Sequence, residues 1–491
     1  MRRNSYSRKR ISAGKFMGIS TALNENLLNT NYSPVSYNFT FDKGALRSEM
    51  GIEEASTSTL TSGTLRHPLP ALPDDKKPSS LHLFRKYDSV NGKRADKLLV
   101  RTTDNDFYET AIFETDTFHQ VVNLAAYGKD CSACYRYEGK DLFLLSSERG
   151  FFYTYDGESV TKIDEAPNMT SMCVHAERIF ATVSGEQNKV WFSKEFNPVN
   201  WKVSGTDAGF IEFDDDGGKV IKVVRFLNYV FVFRDFGIER LSAYGAQTDF
   251  SVSKIYASSS RIYPDTIVST GDRIIFLTDE GLKYLDGYNV GNMCENLTDF
   301  LPADKRNCVG AGLNDKYYLA AYLNFGNYNS DRFLDELLVC KNNAIAACDV
   351  RGGGFSIMRG ADVSSMLSLK VHTEASLLMT FTGENSGKIG RLVKSGKYFD
   401  SVLPKFWTTG YSDLGYPDRE KSLREISLVT TCDVTVGVVL DGKTYEYAVS
   451  GNSLPQKIVV NRPFRRLRLF VRSEAFSITA ITAPSVVVDI M

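Results

Sequence analysis

The chain of 491 residues carries 58 basic and 59 acidic side chains, a formal net charge of −1, and 43% hydrophobic residues. That length admits two to four domains or one large repetitive one, and that hydrophobic content excludes a broadly disordered chain. The charge balance places no demand for a nucleic-acid or membrane partner on the molecule as a whole. Its 31 Phe and 25 Tyr against 3 Trp favour a β-rich fold, because aromatic side chains suit pleated, half-buried surfaces.

The opening "MRRNSYSRKRISAGKF" is basic and lacks the apolar centre of a signal peptide. No apolar run is long enough for a membrane-spanning helix, so no membrane partner is expected. Arg2, Arg3, Arg8, Lys9, Arg10 and Lys15 form a basic arm, a candidate contact for DNA or for an acidic neighbouring subunit. The plain alternative is a solubilising tail. With the Asn-rich stretch that follows, residues 1–50 read as an N-terminal arm and assembly segment.

A repeat begins beyond it. "LFLLSSERGFFYTYDGESV" (Leu142 to Val160) lines up with "IIFLTDEGLKYLDGYNV" (Ile274 to Val290), and "YVFVFRDFGIERLSAYG" (Tyr229 to Gly245) shares their opening. Each runs apolar strand, polar turn, glycine, second strand, and in such turns glycine accepts the positive φ that hairpins require. The first apolar or aromatic residue after the polar lead is Leu98, Leu142, Ile179, Tyr229, Ile274 and Tyr317, with Leu377 a looser seventh. The first six are separated by 44, 37, 50, 45 and 43 residues. A period of roughly 40–50 residues with several strands per unit predicts β-propeller blades. The fold class expected is therefore all-β: an irregular six- or seven-bladed β-propeller over residues 51–404, followed by a small C-terminal β-sandwich over 405–491. Two stacked β-domains with a coincidental period are the competing architecture. The longer last interval contains "NFGNYNSDRF", which reads as an exposed loop. Beyond residue 405, short strands with frequent turns include a hairpin at Asp441-Gly442 and the half-wet strand "FRRLRLFVR".

Candidate chemistry is sparse. Asp279, Glu280 and Asp286 tempt a glycosidase reading, which needs two carboxylates facing each other across a sugar. Adjacent turn residues point apart, and Glu148 and Asp156 recur at matching places in another repeat, so turn chemistry accounts for them. Glu212, Asp214, Asp215 and Asp216 form a candidate acidic loop lining a lumen; as a calcium loop it lacks the later bidentate glutamate. His67, His82, His119, His175 and His372 offer neither HExxH nor a triad pattern. Of eight cysteines only Cys131 and Cys134 form CxxC, with no second pair to complete a zinc site, so buried free thiols are expected. No catalytic, cofactor or metal site is predicted, and the chain reads as a non-enzyme.

"FDKGALRSEMG" (Phe41 to Gly51), with Asn38 before it, resembles the opening motif of bacteriophage virion proteins built on a propeller, through Asn38, Phe41, Gly44, Leu46 and Gly51. Its basic residue comes early, as Arg47, and Glu49 takes a place that is usually basic. "VWFSKEFNPVNW" matches a second motif through Ser193, Asn197, Pro198 and Trp201. "FRDFGIERLSAYG", "RIYPDTI", "GDRIIFLTDEGLKYLDGYNV" and "WTTGYSDLGYPDREKSLREISL" follow in the order such proteins show. The chain is thus similar to the packaged-DNA-stabilising tail hub and the tail nozzle of short-tailed phages. The resemblance implies a structural component of the virion tail or neck, assembled in the bacterial host cytoplasm. It further implies a homo-oligomer in a six-fold ring, beside portal and adaptor proteins, that helps close or conduct the channel for double-stranded DNA. The alternative is a glycan-binding or glycan-cleaving propeller at the tail tip.

Overall fold

A computed structural model describes residues 7–12, 15–21, 28–56, 69–112, 117–326, 341–351, 354–371, 374–482 and 484–491. The protein is nearly all β, 57% strand and 3% helix. Seven sheets follow one another along the chain, the first six of them four-stranded antiparallel meanders. Their first strands are Pro78–Phe84, Ala126–Tyr137, Met169–His175, Val220–Phe226, Ile262–Ser269, Val309–Leu313 and Val363–Val371. The first strand of each sheet lies against the first strand of the next, and that of the seventh lies against that of the first.

All seven repeat markers, Leu98 through Leu377, fall in the second strand of their sheet. Those second strands carry long buried runs: Arg178–Val183 and Ile274–Thr278 are buried at every position. Neighbouring sheets cover both faces of such a strand, so its residues lose the alternation of a half-wet strand and become a continuous apolar run. This is why the second strand carries the visible period.

The seventh sheet joins an early strand to late ones. Gly51–Glu54 pairs antiparallel with Gly390–Val393, at Ile52↔Leu392, and Ile52 also meets Tyr398 in parallel. Ile52 is fully buried. Gly51 is obligatory here, since a Cβ would stand 2.1 Å from the Ser395 hydroxyl oxygen and 2.7 Å from the Lys397 carbonyl.

The remaining strands form two further principal sheets. One has the order Ser7–Ser12, Ser485–Ile490, Lys421–Leu428, Gln456–Phe464. The other runs Ser36–Tyr37, Lys405–Thr408, Leu467–Ser473, Val434–Leu440, Lys443–Val449. They share one apolar cluster, in which Phe16 sets its ring edge-on to Trp407 at 4.8 Å. Ser7–Ser12 and Ser36–Tyr37 thus belong to the C-terminal sheets, and a hairpin of Thr40–Asp42 and Ala45–Arg47 pairs with Ala480–Thr482. Tyr37, Phe406 and Phe470 continue into the core of the fifth and sixth sheets, which joins the two parts of the molecule.

Lys405 is sealed into this junction, 1% exposed, donating to the carbonyls of Ala475 (2.6 Å) and Leu403 (3.2 Å). Burial pulls its pKa from 10.5 down to about 8. The unfolded chain then binds more protons than the folded one between those values, so this group makes stability rise with pH across that window. Relative to Lys405→Met, the natural chain is expected to gain up to ~3 kcal/mol between about pH 8 and pH 10.5, read by urea denaturation at both ends. A difference between the two chains that stays constant with pH would mean the amine is hydrated.

Candidate functional site

At six of the seven sheets, all but the sixth, the register slips near the start of the first strand. A bulge of this kind bends the strand and re-aims the side chains around it. Four of these bulges border one cavity of about 610 Å³, to which they contribute Lys129, Thr170, Ile221, Pro264 and Asp265. Pro264 sits where the ladder is already interrupted, so its missing N–H costs nothing there.

The wall holds a network that joins the first two sheets. Asp130 and Ser132, two apart on one strand, share a face, and His82 from the neighbouring first strand lies between them. His82 Nδ1 is 2.9 Å from Ser132 Oγ, and Nε2 is 3.3 Å from Asp130 Oδ2. The same Asp130 oxygen accepts from Arg101 Nε and from Ser80 Oγ, both at 2.6 Å. Arg101 also donates to the carbonyls of Ala126 (3.1 Å) and Gly128 (2.9 Å). Burial pushes the Asp130 carboxyl up, but His82, Arg101 and Ser80 outweigh it and hold the group well below the usual carboxylate range.

Ser132, His82 and Asp130 stand in the order of a nucleophile, base and acid, which no sequence motif announced. In a hydrolytic triad the carboxylate orients the histidine and balances the imidazolium. Here its shortest contacts are Arg101 and Ser80, and His82 is the longest of the three. The arrangement works as an electrostatic tie between two sheets. A signal for it existed: His82 lies 48 and 50 residues before Asp130 and Ser132, about one repeat period.

A second pair reaches between non-adjacent sheets. Lys129 of the second sheet pairs with Asp265 of the fifth. Beside it, Lys222 of the fourth donates to the carbonyls of Pro264 (2.9 Å) and Ile267 (3.0 Å).

The predicted acidic loop leads from the last strand of the third sheet to the first strand of the fourth and delivers Lys219 to the cavity wall. Its acids are largely matched. Glu212 pairs with Lys189 (3.4 Å), Asp214 accepts from Asn188 (3.2 Å), and Asp215 pairs with the buried Arg234 and with Lys254 (3.4 Å). Asp216 is almost fully exposed, 3.9 Å from Lys254.

The described part of the basic arm is a strand on the chain's own C-terminal sheet. Arg8 grips Asp489 (2.9 Å), Arg10 reaches Glu425 (3.4 Å), and Lys9 meets Tyr416. Lys15 is exposed. Arg2 and Arg3 lie outside the described residues, as do His67, His372 and Cys340.

Asp286 accepts from the N–H groups of Tyr288 (2.9 Å) and Asn289 (2.8 Å), and Asp156 accepts in the same pattern from Glu158 (3.0 Å) and Ser159 (2.8 Å). Asp279 accepts from Tyr263 Oη (2.7 Å) and the Arg261 N–H (2.9 Å). Each carboxylate is occupied in a turn. Cys131 and Cys134, an odd number of residues apart on one strand, point to opposite faces. Cys131 Sγ lies 3.5 Å from the Met169 carbonyl oxygen, and Cys134 Sγ 3.4 Å from that of Leu83. Among the described residues, no group of three or more His, Cys, Asp or Glu side chains is placed to hold a metal ion.

No protein-family profile matches the chain, and no curated protein matches it. Solved structures similar to it include BBS1N in complex with ARL6DN, at TM-score 0.41 and 9% identity, over 70% of this chain and 97% of that one. The AfRom2 CNH domain and YCF48 bound to D1 peptide each give TM-score 0.39 and 10% identity, over 66% of this chain and 97% of theirs.

Proposed function

We propose that the seven sheets close into a seven-bladed β-propeller with Gly51–Glu54 as the closing strand, and that the two C-terminal sheets form a β-sandwich. On that scaffold the chain is a non-enzymatic structural component of a bacteriophage tail, a hub or nozzle subunit in a homo-oligomeric, six-fold ring. The observation that carries this reading is the use made of the motifs that resemble virion proteins. Trp201 is buried and donates to the Pro198 carbonyl (3.0 Å), while Asn197 caps the turn at Val199 (3.1 Å). Ser193 is buried and accepts from the Ile179 N–H (3.0 Å). Asn38 is buried against the Arg359 carbonyl (3.1 Å), and Phe41 to Gly51 carries the chain from the C-terminal sheets into the closing strand. These residues serve packing and turns, as an architectural protein requires.

The Lys129–Asp265 pair leaves no room for a duplex to pass through the first-strand cavity. In this reading the DNA channel lies on the axis of the ring of copies, bordered by portal and adaptor proteins, and the protein resides in the virion tail. Arg8 and Arg10, though paired with Asp489 and Glu425, stay largely exposed on Ser7–Ser12 and present that edge to a neighbour in that ring. Glycan cleavage at Asp279 and Asp286 is disfavoured because both are held by turn hydrogen bonds.

Electron microscopy of the purified protein and of particles tests the assignment. Rings of about six copies, and the protein located in the tail, are the expected result. A monodisperse monomer that is absent from particles would overturn it.

A further inference from the structure

Lys129, Lys222 and Asp265 line the first-strand cavity together. Lys129 holds Asp265, while Lys222 has two of its three N–H donors on backbone carbonyls and no partner among the described residues for the third. The nearby Asp130 is occupied by Arg101, Ser80 and His82. Burial lowers the Lys222 pKa, Asp265 works against that shift, and Lys129 adds to it. Toward solvent, Arg149 and Lys219 are exposed on the same wall, with Glu148 beside them. The cluster is therefore short of negative charge, and a desolvated ammonium with a free donor is costly until an anion meets it. The volume, about 610 Å³, is that of a small-molecule site.

We propose that this cavity binds a compact anion, a phosphate or carboxylate group on a small polar molecule, seated on Lys222 and Lys129 with the hydroxyls of Ser132, Thr170 and Ser184 on the surrounding wall. The site stands apart from the tail assignment and holds whether or not the chain forms a ring. Bulges of the second to fifth sheets and cations of the second and fourth converge on it, and an anion there would bridge sheets that are not neighbours in the chain.

Calorimetric titration of the full-length chain at low ionic strength tests this, with inorganic phosphate in one arm and citrate in the other. One site per chain is expected. Lys222→Met should weaken binding roughly tenfold or more, the worth of a charge-assisted hydrogen bond, and Lys129→Met should weaken it as well. Lys443→Met, exposed on the C-terminal sheet, should leave it unchanged. Preference for phosphate assigns a phosphate ester, and preference for citrate a carboxylate. If Lys222→Met fails to fold, Lys129→Met alone decides. Absence of binding to both probes, or affinity unchanged in the folded lysine variants, would overturn the proposal.

Discussion

Asp130→Asn is expected to destabilise the protein by ~3–5 kcal/mol, because it strips the counter-charge from a buried guanidinium. The side chains of Asp130 and Arg101 are only 7% and 9% exposed, 2.6 Å apart. With the charge removed, Arg101 keeps its two backbone carbonyls but loses the group that offsets its desolvation. Adding Arg101→Met should recover part of the loss, since no buried cation then remains, and the two substitutions will be far from additive. Urea denaturation of the four chains measures this coupling. Additive effects would mean that Arg101 and Asp130 act independently and that the tie between the first two sheets lies elsewhere. Because the Asp130 carboxyl is held below its ordinary value, its contribution is present above the unfolded pKa and fades as the pH falls through the folded one. The natural chain should therefore lose its advantage over the variant in strong acid.

The second large effect is at the strand that joins the chain's beginning to the seventh sheet. Ile52→Asp places a carboxylate at a position of zero exposure, and Gly51→Val drives a side chain into the Ser395 and Lys397 backbone. Even Ile52→Ala should cost ~2–5 kcal/mol through the cavity it leaves. Either harsher change also frees the edge at Gly390–Val393, and an open sheet edge is a template for association with other chains. Soluble yield should collapse for both, with early proteolysis near residue 390 in whatever remains soluble. Val90→Asp, at a position 91% exposed, should be neutral. Normal yield and protease resistance of Ile52→Asp would show that the seventh sheet holds without its fourth strand.

What the sequence revealed, and what it hid, follows from how residues are covered. The second strands were visible because burial on both faces produces unbroken apolar runs, and every marker from Leu98 to Leu377 lies in one. The Asp-Gly turns were visible because Asp156 in the second sheet and Asp286 in the fifth do the same hydrogen-bonding work. By contrast, Gly51–Glu54 has four residues and no period of its own, so nothing local says that it pairs with a strand more than three hundred residues away. For the same reason residues 1–50 read as an arm and assembly segment, although Ser36–Tyr37 and Ala45–Arg47 within them pair with Lys405–Thr408 and Ala480–Thr482. The Asp130–His82–Ser132 network was hidden because its members meet only when two first strands lie side by side. The cations of the cavity were hidden more deeply, since neighbouring bulges set their side chains and, of those bulges, Pro264 marks only the one in the fifth sheet.

The interlocking of the two ends has a consequence for biosynthesis. At roughly 5–20 residues per second, on the order of tens of seconds separate the emergence of Ile52 from that of its partners around residue 392. Ser7–Ser12 waits longer still, until the last strand, Ser485–Ile490, has been made. Throughout that interval the nascent chain carries strands without a home and a stack of sheets with an open edge. Contacts this distant in sequence make folding slow, and a ribosome that stops early releases a product that cannot finish. Synthesis of Ser485–Ile490 is thus the step that gives Ser7–Ser12 its partner, and chains truncated before it are expected to be cleared or to aggregate rather than to persist as partial subunits.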